Sequence, residues 1–287
     1  VLAAISRSWR TWVYTLLTFI GPARLGAAAQ RPFGAQAIQL LQKLLARGSV
    51  SVRGGAAFGL RLSTDHLPID HRQGYGLIRG VLEPAVQEAL RRHVAPGAVV
   101  YDIGANIGFF SVLSASLAGP DGRVEAFEPV PANSSAVRAN AVLNRFPTIS
   151  VHEAAVSDHA GVDELCVPGE AGWAHLIDRG RHPQAEQLIP VRLMSLDEEI
   201  ERGQLPAPDV VKIDVEGSEI AVLTGFTQTL RSRDVTVICE LHETNAEVVD
   251  LMTLLGYSAV NLEGPADVVD AGPVHALFQR ASERPGP

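Results

Sequence analysis

Asp102, Gly104, Asn106 and Gly108 stand in the spacing Asp-x-Gly-x-Asn-x-Gly at the end of the apolar run Val99-Val100-Tyr101. This is the pattern of a buried strand feeding a glycine-rich turn. Glycine has no Cβ, so the backbone at Gly104 and Gly108 is free to adopt positive φ and to let a ligand approach the main chain. With Ala105 and Phe109 interleaved and two polar side chains at the mouth of the strand, the turn reads as a cofactor cradle. Its spacing departs from the Gly-x-Gly-x-x-Gly of dinucleotide folds and from the Gly-x-x-x-x-Gly-Lys of phosphate loops, which argues against hydride transfer and nucleotide hydrolysis. Glu128, in Phe127-Glu128-Pro129, places a carboxylate at the end of the next strand, where an acid accepts the hydroxyls of a ribose. Val156-Ser157-Asp158 offers either an adenine contact or plain turn chemistry.

A second group of chemical residues lies further along. Lys212-Ile213-Asp214-Val215-Glu216-Gly217-Ser218-Glu219 delivers three carboxylates to one strand end, and ligands of open α/β sheets bind outside that edge. Glu219 has a simple role available in the first turn of the next helix, through the helix dipole. Asp214 and Glu216 are harder to explain that way. Glu240-Leu241-His242 points its first and third side chains to the same side of a strand. His242 is therefore a candidate general base, with an ordinary imidazole pKa near 6.5, or a hydrogen-bonded structural residue. Asp214, Glu240 and His242 together resemble an oxygen and nitrogen ligand set, but the spacing is loose and no metal is assigned.

These residues need strands and helices to carry them. From Ala98 onward, β-branched runs alternate with helical patterns, the signature of βαβ units and a parallel sheet. Strands are expected at Val99 to Ile103, Arg123 to Phe127, Ile149 to Val156, Val210 to Ile213 and Val235 to Leu241, with helices over 107–118, 131–146, 217–230 and 244–255. Pro131 marks a helix start, and Gly119 and Gly256 mark helix ends. Ser258 to Leu262 and His275 to Gln279 are joined too closely for a crossover helix, so they are expected to pair as an antiparallel hairpin. Val162 to Val167 and Leu188 to Met194 read as extra strands in an insertion above the sheet. They flank a loop with Trp173, His175, Arg179, Arg181 and His182, either an ordinary hairpin or a wall of the acceptor pocket. Arg179 and Arg181 would suit an anionic or sugar-phosphate acceptor, or are simply solvated. Upstream, a helix, a short β region around Val50 to Leu62 and a helix from Pro84 to His93 are expected.

The 287 residues carry a net charge of -8, and their 24 Lys and Arg are scattered, so no nucleic-acid partner is expected. Cys166 and Cys239 are the only cysteines and fall in expected strands, which fits two buried thiols and a cytoplasmic protein. The apolar run from Trp12 to Ile20 is shorter than the about 20 residues that span a bilayer. A docking helix with peripheral membrane contact is the reading preferred over a cleaved signal.

Taken in order, the blocks Asp102–Gly108, Glu128-Pro129, Asn140 with Asn144, Ala155-Val156-Ser157-Asp158, Ser195-Leu196-Asp197 and Lys212–Gly217 resemble the FkbM family of S-adenosylmethionine-dependent methyltransferases, over roughly residues 75–280. The resemblance implies an α/β, Rossmann-like class I methyltransferase fold. Its seven-stranded, mostly parallel sheet would have the order 3-2-1-4-5-7-6 with the last strand antiparallel; residues 1–74, an N-terminal helical and β extension of open role, and a tail over 281–287 lie outside the resemblance. S-adenosyl-L-methionine is the implied cofactor, and a small-molecule or glycan hydroxyl is the implied acceptor. On this chain the resemblance places Asp102, Gly104, Ala105, Asn106, Gly108 and Phe109 around the methionine end. Glu128 and Pro129 would meet the ribose, with Val156 and Asp158 at the adenine. Gly80 and Glu83 resemble a Gly-x-x-Glu element that closes over the cofactor. Asp214, which also faces the cofactor, and His242 are the candidate bases, with Glu216 as the orienting residue. A nucleotide-dependent oxidoreductase and a non-catalytic binding protein on the same fold are the alternatives.

Overall fold

The computed structural model describes residues 48–65, 67, 73–168, 175–176 and 185–280. The Trp12 to Ile20 run, Trp173, Arg179, Arg181, His182 and the tail from 281 lie outside the described residues. The chain opens with strands β1 (Ser49–Ser51) and β2 (Arg61–Ser63) and helices α1 (Gln73–Arg79) and α2 (Pro84–His93). Strand β3 (Val99–Ile103), helix α3 (Phe109–Ala118), strand β4 (Arg123–Phe127), helix α4 (Pro131–Asn144) and strand β5 (Ile149–His152) follow as βα units. Next come β6 (Ala155–Val156), β7 (Gly161–Pro168), β8 (His175–Leu176) and β9 (Ala185–Met194), then helix α5 (Leu196–Glu201) and strand β10 (Val210–Ile213). Helices α6 (Glu219–Thr224) and α7 (Thr227–Ser232), strand β11 (Thr236–Leu241), helix α8 (Asn245–Leu254) and strands β12 (Tyr257–Asn261) and β13 (Val274–Arg280) complete it.

The main sheet runs β12-β13-β11-β10-β3-β4-β5. All its pairs are parallel except the two made by β13, which is antiparallel to both β11 and β12. This is the sheet order that the sequence resemblance implies. Strand alternation sends Val100, Val124 and Val210 to one face, against Leu90 of α2 and Val112 of α3. Tyr101, Ile103, Val211 and Ile213 go to the other, against Val222, Phe226 and Val248 of the later helices. Burial on both faces is why these strands read as continuous apolar runs. Both cysteines are free and buried.

Two expected elements divide. The third strand ends at His152, and Ala155 and Val156 pair in parallel with Leu193 and Met194 of β9 instead of with β4. The expected insertion is thus a separate four-stranded sheet, β6-β9-β7-β8. Ala154-Ala155-Val156 is apolar enough for either sheet, so the pattern hides the break. The helix expected over 217–230 is two helices. Gly225 O accepts from the Ser195 hydroxyl at 3.1 Å and from the Asp197 N–H at 2.9 Å. The Asp197 carboxylate caps the N–H groups of Gln228 and Thr229, so α7 starts afresh.

The β1–β2 hairpin packs Val50 and Leu62 into the same core as Leu90 and Val112, so the packed unit reaches upstream of residue 75. Its outer edge is held by α4. Asn144 accepts from the Arg61 N–H and donates to the Arg61 carbonyl, both at 2.8 Å. Asn140 accepts from the Ser63 N–H and donates to Ile107 O in the glycine turn, both at 2.7 Å. Among the described residues, no helix is long and apolar enough to cross a membrane.

Candidate active site

Because β3, β4, β10 and β11 are parallel, their carboxyl ends share one edge, and the predicted residues converge there. Gly104 has φ 76°, and a Cβ at that position would lie 1.8 Å from Asp214 O, so only glycine lets the turn pack on the end of β10. Asp102 is buried; its Oδ2 accepts from the Ser111 hydroxyl at 2.5 Å, while Oδ1 is buried with no hydrogen-bond donor. Burial pushes the Asp102 carboxyl up, and Lys212 pulls the other way. Lys212, itself buried, sits 3.0 Å from Asp214 Oδ2. Burial alone would lower the Lys212 pKa, but Asp214, Asp102 and Glu83 outweigh it and hold the ammonium charged. In turn Lys212 keeps Asp214 below the usual carboxylate range despite its burial.

Glu128 is buried at the end of β4. Its Oε2 accepts from the Asn106 N–H at 2.8 Å and its Oε1 from the Val130 N–H at 2.9 Å, so it ties the glycine turn to the start of α4. Burial lifts its pKa to about 7, against those two backbone bonds. The remaining lone pairs are what a ribose would meet. Asn106 takes a left-handed backbone, φ 50°. Ala105 and Phe109 put their side chains into the core, which leaves only their backbone to face a cofactor. Val156 is also a core side chain, and Asp158 is half exposed with its carboxylate shared by His159 at 2.6 Å and Ser157 at 3.2 Å. Pro129 is partly buried beside Glu128.

At the β10 and β11 ends a second cluster forms. His242 Nδ1 lies 3.0 Å from Glu219 Oε1, and its Nε2 lies 3.4 Å from Glu216 Oε2 and 3.6 Å from Glu240 Oε1. Burial alone would lower the imidazole pKa, but Glu219, Glu216 and Glu240 raise it to about 9. A value there favours the charged ring at neutral pH, which suits His242 to orienting a carboxylate better than to taking a proton. Glu216 is strained, with φ 49°, and burial together with Asp214, Glu240 and Glu219 lifts its pKa to about 7 in spite of His242. Glu219 does more than favour a helix start. Fully buried, it accepts from the Gly217 N–H at 2.7 Å and from the Thr244 hydroxyl at 2.8 Å as well as facing His242.

Glu83 reaches the same edge from the α1–α2 loop, with φ 41°. Its loop is fixed by buried Gln87, which donates to Gly80 O and Leu82 O and accepts from the Ala56 N–H. Sequence reasoning missed His275. The antiparallel β13 brings its start to the carboxyl end of β11, with His275 opposite Glu240. His275 Nδ1 lies 2.6 Å from Glu263 Oε1, and its Nε2 lies 3.3 Å from Glu83 Oε2 and 3.4 Å from Glu240 Oε2. The β11–β13 pairing brings Glu240 to this residue, while Glu83 and Glu263 arrive from loops that no local sequence pattern places there.

The donor set suits a cationic ligand rich in hydrogen-bond donors: many carboxylates, one ammonium, and a buried Asp102 oxygen that lacks a donor. S-adenosylmethionine, with its amine, sulfonium and ribose hydroxyls, is such a ligand, so the residues fit it. Residues 102–259 match the family described as the Methyltransferase FkbM domain. The chain is 33% identical over 204 residues to the 31-O-demethyl-FK506 methyltransferase FkbM of Streptomyces tacrolimicus, covering 59% of this chain and 76% of that one. It is 29% identical over 194 residues to the hexuronic acid methyltransferase AglP of Haloferax volcanii, covering 68% and 72%. A crystal structure of methyltransferase FkbM from Methylobacillus flagellatus KT is 17% identical, with 71% of this chain and 53% of that chain covered and a TM-score of 0.43. The chain belongs to the FkbM family and is an S-adenosylmethionine-dependent methyltransferase.

Proposed function

We propose that the methyl group goes to a hydroxyl oxygen of a sugar, glycan or natural-product acceptor, and that Glu216 takes the hydroxyl proton. The reading rests on one observation: Glu216 is held in a strained backbone at the shared edge with its pKa lifted to about 7. A base poised near the working pH is the most effective one. Asp214 is the weaker candidate, because Lys212 stabilises its ionised form. His242, charged at neutral pH, orients the Glu216 carboxylate.

When bound, the cofactor supplies a methyl group on an electrophilic sulfonium, so positioning is most of what the protein must add. Asp102 Oδ1 would accept from the amine and Glu128 from the ribose hydroxyls, and the backbone of Gly104 to Gly108 would line the same ligand. Phe109 and Val156 would contribute backbone groups, Pro129 would flank the ribose and Asp158 would stand at the adenine end. The acceptor is a small molecule or glycan, and a 31-O-demethyl-FK506 and a hexuronic acid, named for the two relatives, head the list of classes to try. The two buried thiols fit a cytoplasmic site of action, and peripheral membrane contact is assigned to the N-terminal run on sequence alone.

The test is transfer of a labelled methyl group to a panel of macrolide and uronate hydroxyls, with Glu216→Gln beside the native chain. A labelled acceptor with the native chain, and a large loss of kcat in the variant at little-changed S-adenosylhomocysteine affinity, supports the reading. Equal turnover by the variant overturns Glu216 as the base.

A further inference from the structure

A group of side chains lies next to the methyl-transfer site, and of these that chemistry takes up only Glu83, at the cofactor, and Glu240, beside His242. Glu83, Glu240, Glu263 and His275 come from four separate segments: the α1–α2 loop, β11, the β12–β13 connection and β13. His275 is 6% exposed, yet its Nε2 makes no hydrogen bond, and neither does the buried Oε2 of Glu83 that faces it. The nearest carboxylate oxygens lie 3.3 and 3.4 Å away, near enough for attraction but without hydrogen-bond geometry. His275 Nε2 and Glu83 Oε2 thus face each other only as an ion pair, with the ring held charged, against its burial, by Glu240, Glu83 and Glu263, and a metal ion at this point would take the place of the Nε2 proton.

The geometry points to a divalent transition cation, of the Mn²⁺ and Zn²⁺ type, held by Glu83 Oε2, Glu240 Oε2 and His275 Nε2. These three atoms lie within 4.8 Å of one another. Ligands about 2.0–2.2 Å from a metal are separated by about 3.0–3.5 Å along the edges of a tetrahedron or octahedron. The two printed separations to His275 fall in that range. The other ring nitrogen, Nδ1, donates to Glu263 at 2.6 Å, the arrangement that fixes the tautomer and presents Nε2 as the ligand atom. One imidazole and two carboxylates form a mixed nitrogen and oxygen set, which suits Mn²⁺ and Zn²⁺ better than soft or purely oxygen-seeking ions. Three protein ligands leave positions open.

The supporting shell is built for this placement. Glu83 sits at the N-cap of α2, where its carboxylate makes no capping bond, and its left-handed backbone turns it away from the helix. Gln87 holds that loop from below. A second triad, Asp214, Glu240 and His242, shares Glu240, but there Asp214 is engaged by the Lys212 ammonium at 3.0 Å.

The experiment uses the full chain after treatment with a chelator and its removal, titrated calorimetrically with MnCl₂ and separately with ZnSO₄. One equivalent of either ion per chain is the expected result. Affinity should fall at least about tenfold in His275→Gln and in Glu83→Gln, as loss of a ligand does, and stay within a few fold in His242→Gln. Circular dichroism and Tm, measured alongside, report that the variants are folded. Should His275→Gln not fold, Glu83→Gln on its surface loop carries the comparison. No uptake of either ion by the native chain overturns the proposal, as does unchanged affinity in Glu83→Gln. Loss of binding in His242→Gln with His275→Gln unaffected would place the ion in the second triad and overturn it too.

Discussion

A carboxylate whose pKa lies near 7 is useful to an enzyme only in its ionised form, and that sets the behaviour of Glu216. Burial, Asp214, Glu240 and Glu219 raise its pKa, and His242 opposes them. Its basic form therefore accumulates as pH rises through about 7, and methyl transfer should rise with it and level off. Rates under cofactor saturation from pH 5.5 to 8 test this, with Glu216→Gln expected to be slower by about 10²–10⁴ and to lose the rise. A native profile flat across that range refutes the assignment. Asp102 makes a different prediction, because it acts on binding. Asp102→Ala removes the buried acceptor and leaves Ser111 without its partner, so S-adenosylhomocysteine affinity should drop at least about tenfold, equivalent to about 1.4 kcal/mol, by calorimetry. That Asp102, Asn106, Glu128 and Asp214 meet at one sheet edge was legible from residue type and spacing. The protonated state of His242 was not: it depends on Glu219 and Glu216, which come to the ring only through the turn after β10.

Elements were legible where one pattern had one home. The strands β3, β4, β10 and β11 and the β12–β13 pair fall close to the expected places, because a strand buried on both faces leaves a continuous apolar run. Patterns with two possible homes misled. Ala155-Val156 is equally apolar in either sheet, and the spacing of Ile220, Leu223, Phe226 and Leu230 runs unbroken through the break at Gly225. Asp197 is what makes that break, so Asp197→Ala should cost about 1 kcal/mol and more as a lost cap, with a lower Tm as the readout. Asn140 joins three elements at once, the hairpin, α4 and the glycine turn. Truncating it to Ala leaves a buried N–H and a buried carbonyl unpaired, at about 1–3 kcal/mol each. Hydrogen exchange should then quicken first over 49–63 and around Ile107; protection unchanged there would mean the hairpin is held by its apolar contacts alone.

At the scale of the whole molecule, a shared edge crowded with carboxylates makes the fold sensitive to pH as well as to ligand. Glu128 is the clearest case, because it is buried and its pKa rises from 4.5 to about 7 on folding. The folded chain holds a proton that the unfolded chain has already released, so this group's contribution is complete below about 4.5 and is lost as pH rises through about 7. The difference in pKa corresponds to roughly 3 kcal/mol at most. Tm in the absence of cofactor should therefore fall between pH 5 and 8, and Glu128→Gln, which cannot ionise, should show a shallower fall whatever its starting stability. Cofactor works against this trend. Ribose hydroxyls that donate to Glu128 favour its ionised form, so S-adenosylhomocysteine should raise Tm more at pH 8 than at pH 6, on top of the about 2.7 kcal/mol that ligand at 100 times its Kd gives by mass action. NAD, which lacks the amino-acid amine that suits Asp102, should give no shift. An equal Tm increment from S-adenosylhomocysteine at both pH values would separate the ribose from Glu128 and leave that carboxylate with the single task of holding the glycine turn to β4.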